Sequence, residues 1–355
     1  MVLTESIGLS VIDVDIHCRV ASHTTLFPYL AEHWREYINT SSFRGPTESS
    51  YPDGAPVTVS PHFERTDGKV PGGSLADVQR DVLDAFNVEA GVLNCDYAVD
   101  SLHNPDTAAA MASAVNDWLI HEWLDVEPRL RASLVVPSRI PEMAAAEIDR
   151  VGGHPGFVQV FLPVRSEAPY GNRRYLPIFE AAARNNLVVS LQFGGAPGNA
   201  PTGTGWPSYY IEEYVGMAHI FQTQILSLIV EGVFDRFPTL KMAMIEGGWT
   251  WLPSLMWRID KDWKGLRRET PWNTMLPSDY IRERMRFSLQ PLDAAPEPRH
   301  VLQVIEELGS EDLLMFSTDY PHWHFGSPDE AMIPGLPEPL RRKILSENAR
   351  ALYGL

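Results

Sequence analysis

Residues 9 to 17 read LSVIDVDIH, and residues 313 to 331 read LLMFSTDYPHWHFGSPDEA. Each stretch starts as a short apolar run and ends in side chains that can hold a metal or move a proton. Leu9 to Ile16 reads as a first strand with Asp13 and Asp15 interleaved among apolar residues, and His17 follows it. Leu313 to Ser317 reads as a last strand, with Asp319 just beyond. These two polar ends lie some 300 residues apart, so they meet only if the sheet carrying them closes on itself.

The intervening sequence supports closure. Strand-like runs recur at Ala90 to Cys95, 131 to 137, 156 to 163, Leu187 to Phe193, 240 to 247 and Met285 to Gln290. Helical patterns alternate with them: LADVQRDVLDAF, Pro105 to Leu124, the stretch from Glu142, Tyr175 to Asn185, Glu212 to Val230, LPSLMWRIDKDWKGL and RRKILSENARALYGL. Eight strands alternating with helices predict an α/β fold, a single (β/α)8 TIM barrel spanning residues 1–355. An open doubly wound sheet is the competitor, but no GxGxxG follows the first strand. Ser41 to Gly73, rich in Gly, Pro and Ser, reads as an elaborated loop after strand one, without a domain-sized core.

Composition narrows the function. With 29 Lys plus Arg against 46 Asp plus Glu, the formal charge of −17 disfavours nucleic acid or an anionic membrane as partner, since both need a basic patch. Two cysteines, Cys18 and Cys95, are too few for a disulfide scaffold or a four-thiolate metal site, and inert packing is their expected role. The opening MVLTESIGLSVIDVDIHCRV shows no basic segment leading into a long apolar core, and no run of 18 apolar residues follows elsewhere. The expectation is a cytoplasmic protein.

Asp15 and His17 stand two apart on an extended strand and so face one side. A carboxylate oxygen beside an imidazole nitrogen suits zinc or a similar divalent metal; strand capping or a satisfied core network is the plainer reading. Asp319 sits where a barrel places catalytic carboxylates, able to bind metal, orient water or accept a proton, or else to cap the turn into Tyr320 and Pro321.

Four stretches carry a family resemblance: VDIH at 14–17, EGGWTWLPSLMWRIDKDW at 246–263, STDYPHWHFGSPDEA at 317–331 and the terminal SENARALYGL. The chain resembles the metal-dependent amidohydrolase superfamily, in the branch of aminocarboxymuconate-semialdehyde decarboxylase and small aromatic-acid decarboxylases. The resemblance implies a divalent metal organised by the first-strand pair, histidines after strands five and six, and the strand-eight aspartate. Asp15, His17 and Asp319 match that pattern. Gln192 in LVVSLQFGG and Glu246 in MIEGG stand where the family commonly has histidine. The resemblance further implies a small-molecule substrate and a homodimer.

The implied metal set is Asp15, His17, Glu246 and Asp319, with His322 or His324 as a further candidate, and the implied catalytic set is Asp319, Glu246 and His324. Glu246 has three readings: metal ligand, proton carrier, or partner of an arginine. His324 departs from a position that is often aspartate and reads as pocket lining or an acid/base. Tyr97, Phe193, Trp249 and Trp323 are aromatic candidates for holding a flat substrate, Arg165 for anchoring its carboxylate, and Gln192 for hydrogen-bonding it. The implied activity is hydrolysis or decarboxylation of a small conjugated or aromatic carboxylic compound. The alternatives are a metal-independent enzyme that rearranges or cyclises a metabolite, and a ligand-binding barrel without turnover.

Overall fold

The computed structural model describes residues 10–47, 58–64, 69–194, 199–322 and 328–355. Eight parallel strands follow one another around a barrel in chain order: β1 Val11–His17, β2 Val88–Asn94, β3 Leu130–Val135, β4 Phe157–Pro163, β5 Val188–Gln192, β6 Met242–Ile245, β7 Met285–Ser288 and β8 Leu314–Met315. The β8–β1 seam is closed by single backbone bonds, Val14 N–H to Phe316 O (3.1 Å), Asp319 N–H to Asp15 O (3.0 Å) and His17 N–H to Tyr320 O (2.8 Å). The predicted barrel is therefore the observed fold. Among the described residues, no helix is long and apolar enough to cross a membrane.

β8 is shorter than the predicted run to Ser317, because the Phe316 N–H turns away to Ile344 O at 2.8 Å, and beyond it β1 takes up the next donors. The buried Asp13 carboxylate accepts the backbone N–H groups of Asp15 and Thr318, each at 3.1 Å, and the Thr318 hydroxyl at 2.7 Å. Those donors are thereby withdrawn from a regular ladder. The β1 register slips between Asp13 and Ile16, which is the signature of a bulge.

That bulge changes which face each β1 side chain occupies. Ile12 and Val14 pack with Ala90, Val188, Ala243, Ile245 and Met315 inside the barrel, whereas Ile16 points outward beside Leu83. Strict alternation would send Asp15 to the face opposite Val14. The slip allows Val14, Asp15 and His17 all to serve the interior.

Ala349 and Leu352 of the terminal helix Asn348–Tyr353 pack against the barrel's inner apolar cluster. Tyr353 donates its hydroxyl to Gln159 Oε1 at 2.8 Å, so a polar string enters the core from this helix. Several helices differ from the sequence reading. The expected helices at 75–86 and 105–124 loosen into wider turns at Gln79–Asp84 and Ile120–Leu124, while Glu32–Thr40, Pro277–Arg284 and Pro298–Leu308 are helices beyond those the pattern predicts. Among the described residues of 41–73 there is no regular helix or strand, and this segment braces the strand-eight loop. Ser60 N–H bonds Pro321 O at 2.9 Å, and the Phe63 ring meets Tyr320 edge-on at 4.8 Å.

Candidate active site

The carboxyl ends of β1, β6 and β8 converge on His17, which is 1% exposed. Its Nε2 lies 2.7 Å from Glu246 Oε1, 2.8 Å from Asp319 Oδ1 and 3.5 Å from Asp15 Oδ1. The opposite ring nitrogen, Nδ1, is 2.9 Å from Asp96 Oδ2, a charge contact outside hydrogen-bond alignment. One imidazole thus collects four carboxylates.

Two of these carboxylates are presented by backbone that most residues avoid. Glu246 and Asp319 have φ values of 63° and 54°, in the left-handed region. Glu246 is held there by its N–H to Ser288 Oγ at 2.9 Å, and Asp319 by its N–H to the Asp15 carbonyl. The glycine after Glu246 is required by packing, because a Cβ on Gly247 would stand 2.8 Å from the Phe221 ring. Such strain marks positions held for what the side chain does.

His322 completes the group. Its Nδ1 is 3.0 Å from Asp319 Oδ1, and its ring centroid is 4.7 Å from that of His17. Donor atoms of His17, Glu246, Asp319 and His322 all lie within 4.8 Å of one another.

Asp15 stands just behind. Its Oδ1 accepts Asn94 Nδ2 at 2.7 Å, while its buried Oδ2 has no hydrogen-bond partner. Asn94 is clamped in turn by Gln192 Nε2 at 2.9 Å, Gln159 Nε2 at 3.3 Å and the Ser133 hydroxyl. Gln192 Nε2 also donates to Ser190 Oγ at 2.9 Å, so the residue at the strand-five end is tied into this frame.

The electrostatics follow from burial and crowding. Burial raises the Asp15 and Glu246 carboxyls well above the carboxylate range; the Asp319 charge adds to both, and His17 opposes it. Burial alone would lower His17, but Asp96, Asp15 and Glu246 together push it well above an ordinary imidazole. Burial also lowers His322 against the opposing pull of Asp319. A cation centred among these carboxylates would relieve their repulsion and give the unpartnered Asp15 Oδ2 a partner, so the donor set fits a divalent metal.

The aromatic candidates divide. Phe193 is half-buried and meets Tyr214 edge-on at 5.6 Å, with Tyr210 a further 6.0 Å along. Tyr210 and Tyr214 come from the helix Tyr210–Val230, one turn apart, and were not singled out by sequence. Burial raises the Tyr210 phenol to about 12, with Glu213 and Glu246 adding to it; burial and the Asp319 and Glu246 charges raise Tyr214. Both hydroxyls therefore feel the site. Trp249 is fully buried and donates its indole N–H to Leu289 O at 3.4 Å, which places it in the packed core rather than on an open wall. Tyr97 is buried as well.

Arg165, 5% exposed, forms an ion pair with Glu213 at 2.7 Å, so its guanidinium already serves a carboxylate of the chain. Trp323 and His324 lie outside the described residues. Sequence reading missed Asn94 and Asp96, although polar residues directly ending an apolar strand run were the available signal.

Comparison with known proteins agrees with this architecture. Gamma-resorcylate decarboxylase of Polaromonas sp. is 25% identical over 291 residues, covering 77% of this chain and 86% of that protein. The structure of 2,6-dihydroxybenzoate decarboxylase from Rhizobium superposes with a TM-score of 0.69 at 20% identity, covering 98% of this chain and 99% of the other. That of 5-carboxyvanillate decarboxylase from Novosphingobium aromaticivorans, complexed with manganese and 4-hydroxy-3-methoxy-5-nitrobenzoic acid, gives 0.72 at 17% identity, covering 100% and 98%. The amidohydrolase family profile matches residues 14–355, and the chain belongs to that family of enzymes.

Proposed function

We propose that the protein is a metal-dependent carboxy-lyase acting on a small aromatic carboxylic acid. The observation that carries this reading is the convergence of Asp15, His17, Glu246 and Asp319 at the carboxyl end of the barrel, with a buried carboxylate oxygen left without a partner. The decarboxylase relatives, and the manganese and nitrobenzoic acid bound by one of them, support the substrate class and the cofactor. Asp15, His17 and Asp319 hold the ion, for which zinc or manganese suits mixed nitrogen and oxygen donors. When bound, such an ion supplies positive charge against which a substrate carboxylate and an adjacent oxygen can be fixed.

The chain's own residues supply the rest. Phe193, Tyr214 and Tyr210 form a half-buried wall against which an aromatic ring can lie, limiting water around it. Glu246 is the most exposed of the three carboxylates around His17 Nε2, and burial favours its protonated form. It is the group placed to give a proton to the ring carbon that bears the carboxylate. The carbon–carbon bond then breaks, its electron pair returns to the ring as CO2 leaves, and Glu246 recovers a proton from solvent. Ser288 Oγ, which accepts the Glu246 N–H, keeps the turn beneath that side chain in place throughout.

We read residues 41–73 as a loop insertion within this one domain, and the partner as a second copy of the chain. The exposed Tyr209, Ile211 and Val215 near the start of the helix Tyr210–Val230 support an apolar contact face. Two free, buried cysteines support a cytoplasmic setting.

The test is to incubate protein with stoichiometric zinc or manganese, and chelator-stripped protein, with hydroxybenzoic acids in deuterated water. The expected result is chelator-sensitive CO2 release with deuterium at the vacated ring carbon, and Glu246→Gln lowering the rate by about 100-fold or more while metal content is kept. Ligand binding without turnover after metal restoration would instead make the barrel a binding protein. Opening of an aromatic lactone with no decarboxylation would make it a hydrolase.

A further inference from the structure

The strand-five position that supplies a histidine in the resembling family holds Gln192, and Gln192 is built into a different job. Its amide nitrogen is spent on Asn94 Oδ1 and Ser190 Oγ, each at 2.9 Å. Asn94, so held, donates to Asp15 at 2.7 Å. Gln192 therefore positions a carboxylate two links away. Its oxygen, buried with no hydrogen-bond partner, is a neutral amide carbonyl and a weaker donor to a first-row metal than imidazole.

The missing imidazole is present from another direction. We propose that the metal centre has moved one ligand from strand five to the strand-eight loop, with His322 joining His17 and Asp319 around the ion. This rests on the reading of the site as a divalent-metal centre.

Three observations carry the relocation. The donor nitrogen of His322 falls in the same 4.8 Å group as His17, Glu246 and Asp319. Ligands of a tetrahedral ion with bonds of about 2.1 Å stand about 3.4 Å apart, so small side-chain rotations suffice. The backbone under His322 is fixed from both sides: its N–H bonds Asp319 O at 2.8 Å, it bridges to Val59, and the preceding Pro321 carbonyl accepts Ser60 N–H at 2.9 Å. Finally, Asp15 Oδ2 is fully buried without a partner beside this group, an independent sign that a cation belongs there. The loop that braces the barrel mouth thus also sets a ligand.

Pulsed electron-spin-echo spectroscopy of bound Mn2+ counts coordinated imidazoles and tests this without any turnover. Chelator-stripped wild type, His322→Ala, His322→Asn and Gln192→Ala are each titrated with Mn2+, with thermal melting as the folding check. The expected result is loss of one imidazole in either folded His322 variant, with affinity at least about tenfold weaker, and an unchanged imidazole count in Gln192→Ala. An unchanged count in a folded His322 variant overturns the relocation while leaving the metal reading standing. Should both His322 variants fail to fold, the wild-type spectrum decides, because a single imidazole overturns the proposal and two support it. Wild type that binds neither Mn2+ nor Zn2+ overturns the metal reading and the relocation together.

Discussion

Asp96 stands on the side of His17 opposite the site, its Oδ2 in charge contact with Nδ1 at 2.9 Å while Nε2 faces Glu246 and Asp319. A carboxylate behind a ligating imidazole keeps the proton on the far nitrogen and leaves the near lone pair free for the ion. Asp96→Asn is expected to weaken metal affinity about tenfold, and Asp96→Ala up to about 100-fold, since asparagine still offers an acceptor oxygen. Calorimetric titration with Mn2+ measures both. Affinities within about threefold of wild type would remove Asp96 from this role.

Metal binding should release protons. Burial raises the Asp15 carboxyl, and, against burial, Asp96, Asp15 and Glu246 raise the His17 imidazole, so the metal-free site holds protons that an incoming cation must displace. Apparent affinity is expected to rise with pH until both groups have lost their protons. Calorimetry in two buffers of different ionisation enthalpy reads the released protons directly, and identical heats in the two would contradict the expectation.

Asp13 makes a separate prediction about stability. Burial raises its pKa from 3.8 to about 7 against the hydrogen bonds from Thr318 and Asp15 that lower it. A carboxyl that is harder to ionise folded than unfolded stabilises most below the unfolded value, and that contribution is lost as pH rises from about 4 through 7. The shift corresponds to about 4 kcal/mol at most. An asparagine side chain at this position would mimic the protonated acid, accepting the two N–H groups and donating to the Thr318 hydroxyl. Asp13→Asn in metal-free protein should therefore gain stability relative to wild type as pH rises from about 4 to about 8, as urea unfolding would show. Parallel pH profiles would count against a buried protonated Asp13.

Gly247→Ala probes the strand-six end. The added methyl meets the buried Phe221 ring at 2.8 Å, so either the ring or the Glu246 turn must move. We expect a destabilisation of about 1–3 kcal/mol. Turnover should fall further than that loss explains, because Glu246 is displaced. An active variant with the wild-type melting temperature would show that the turn has slack.

The closed barrel was legible in the sequence because eight apolar runs recur, most of them followed by a helical period, and because polar residues end the first and last runs. Residue type and spacing also picked out Asp15, His17 and Asp319. A period-two pattern says which side chains share a face, yet it cannot announce a bulge, and the Asp13 bulge is what lets Val14 and Asp15 both serve the barrel interior. Nor could spacing reveal Asp96 as a neighbour of His17, since it lies 79 residues away along the chain and reaches it only through strand pairing. Trp249 and Arg165 looked like pocket residues for their chemistry, but packing against Leu289 and pairing with Glu213 gave them other partners. Sequence determined the architecture, because it is written in local periodicity. Tertiary structure decided which donors meet, because burial and chain closure bring together groups that no local rule relates.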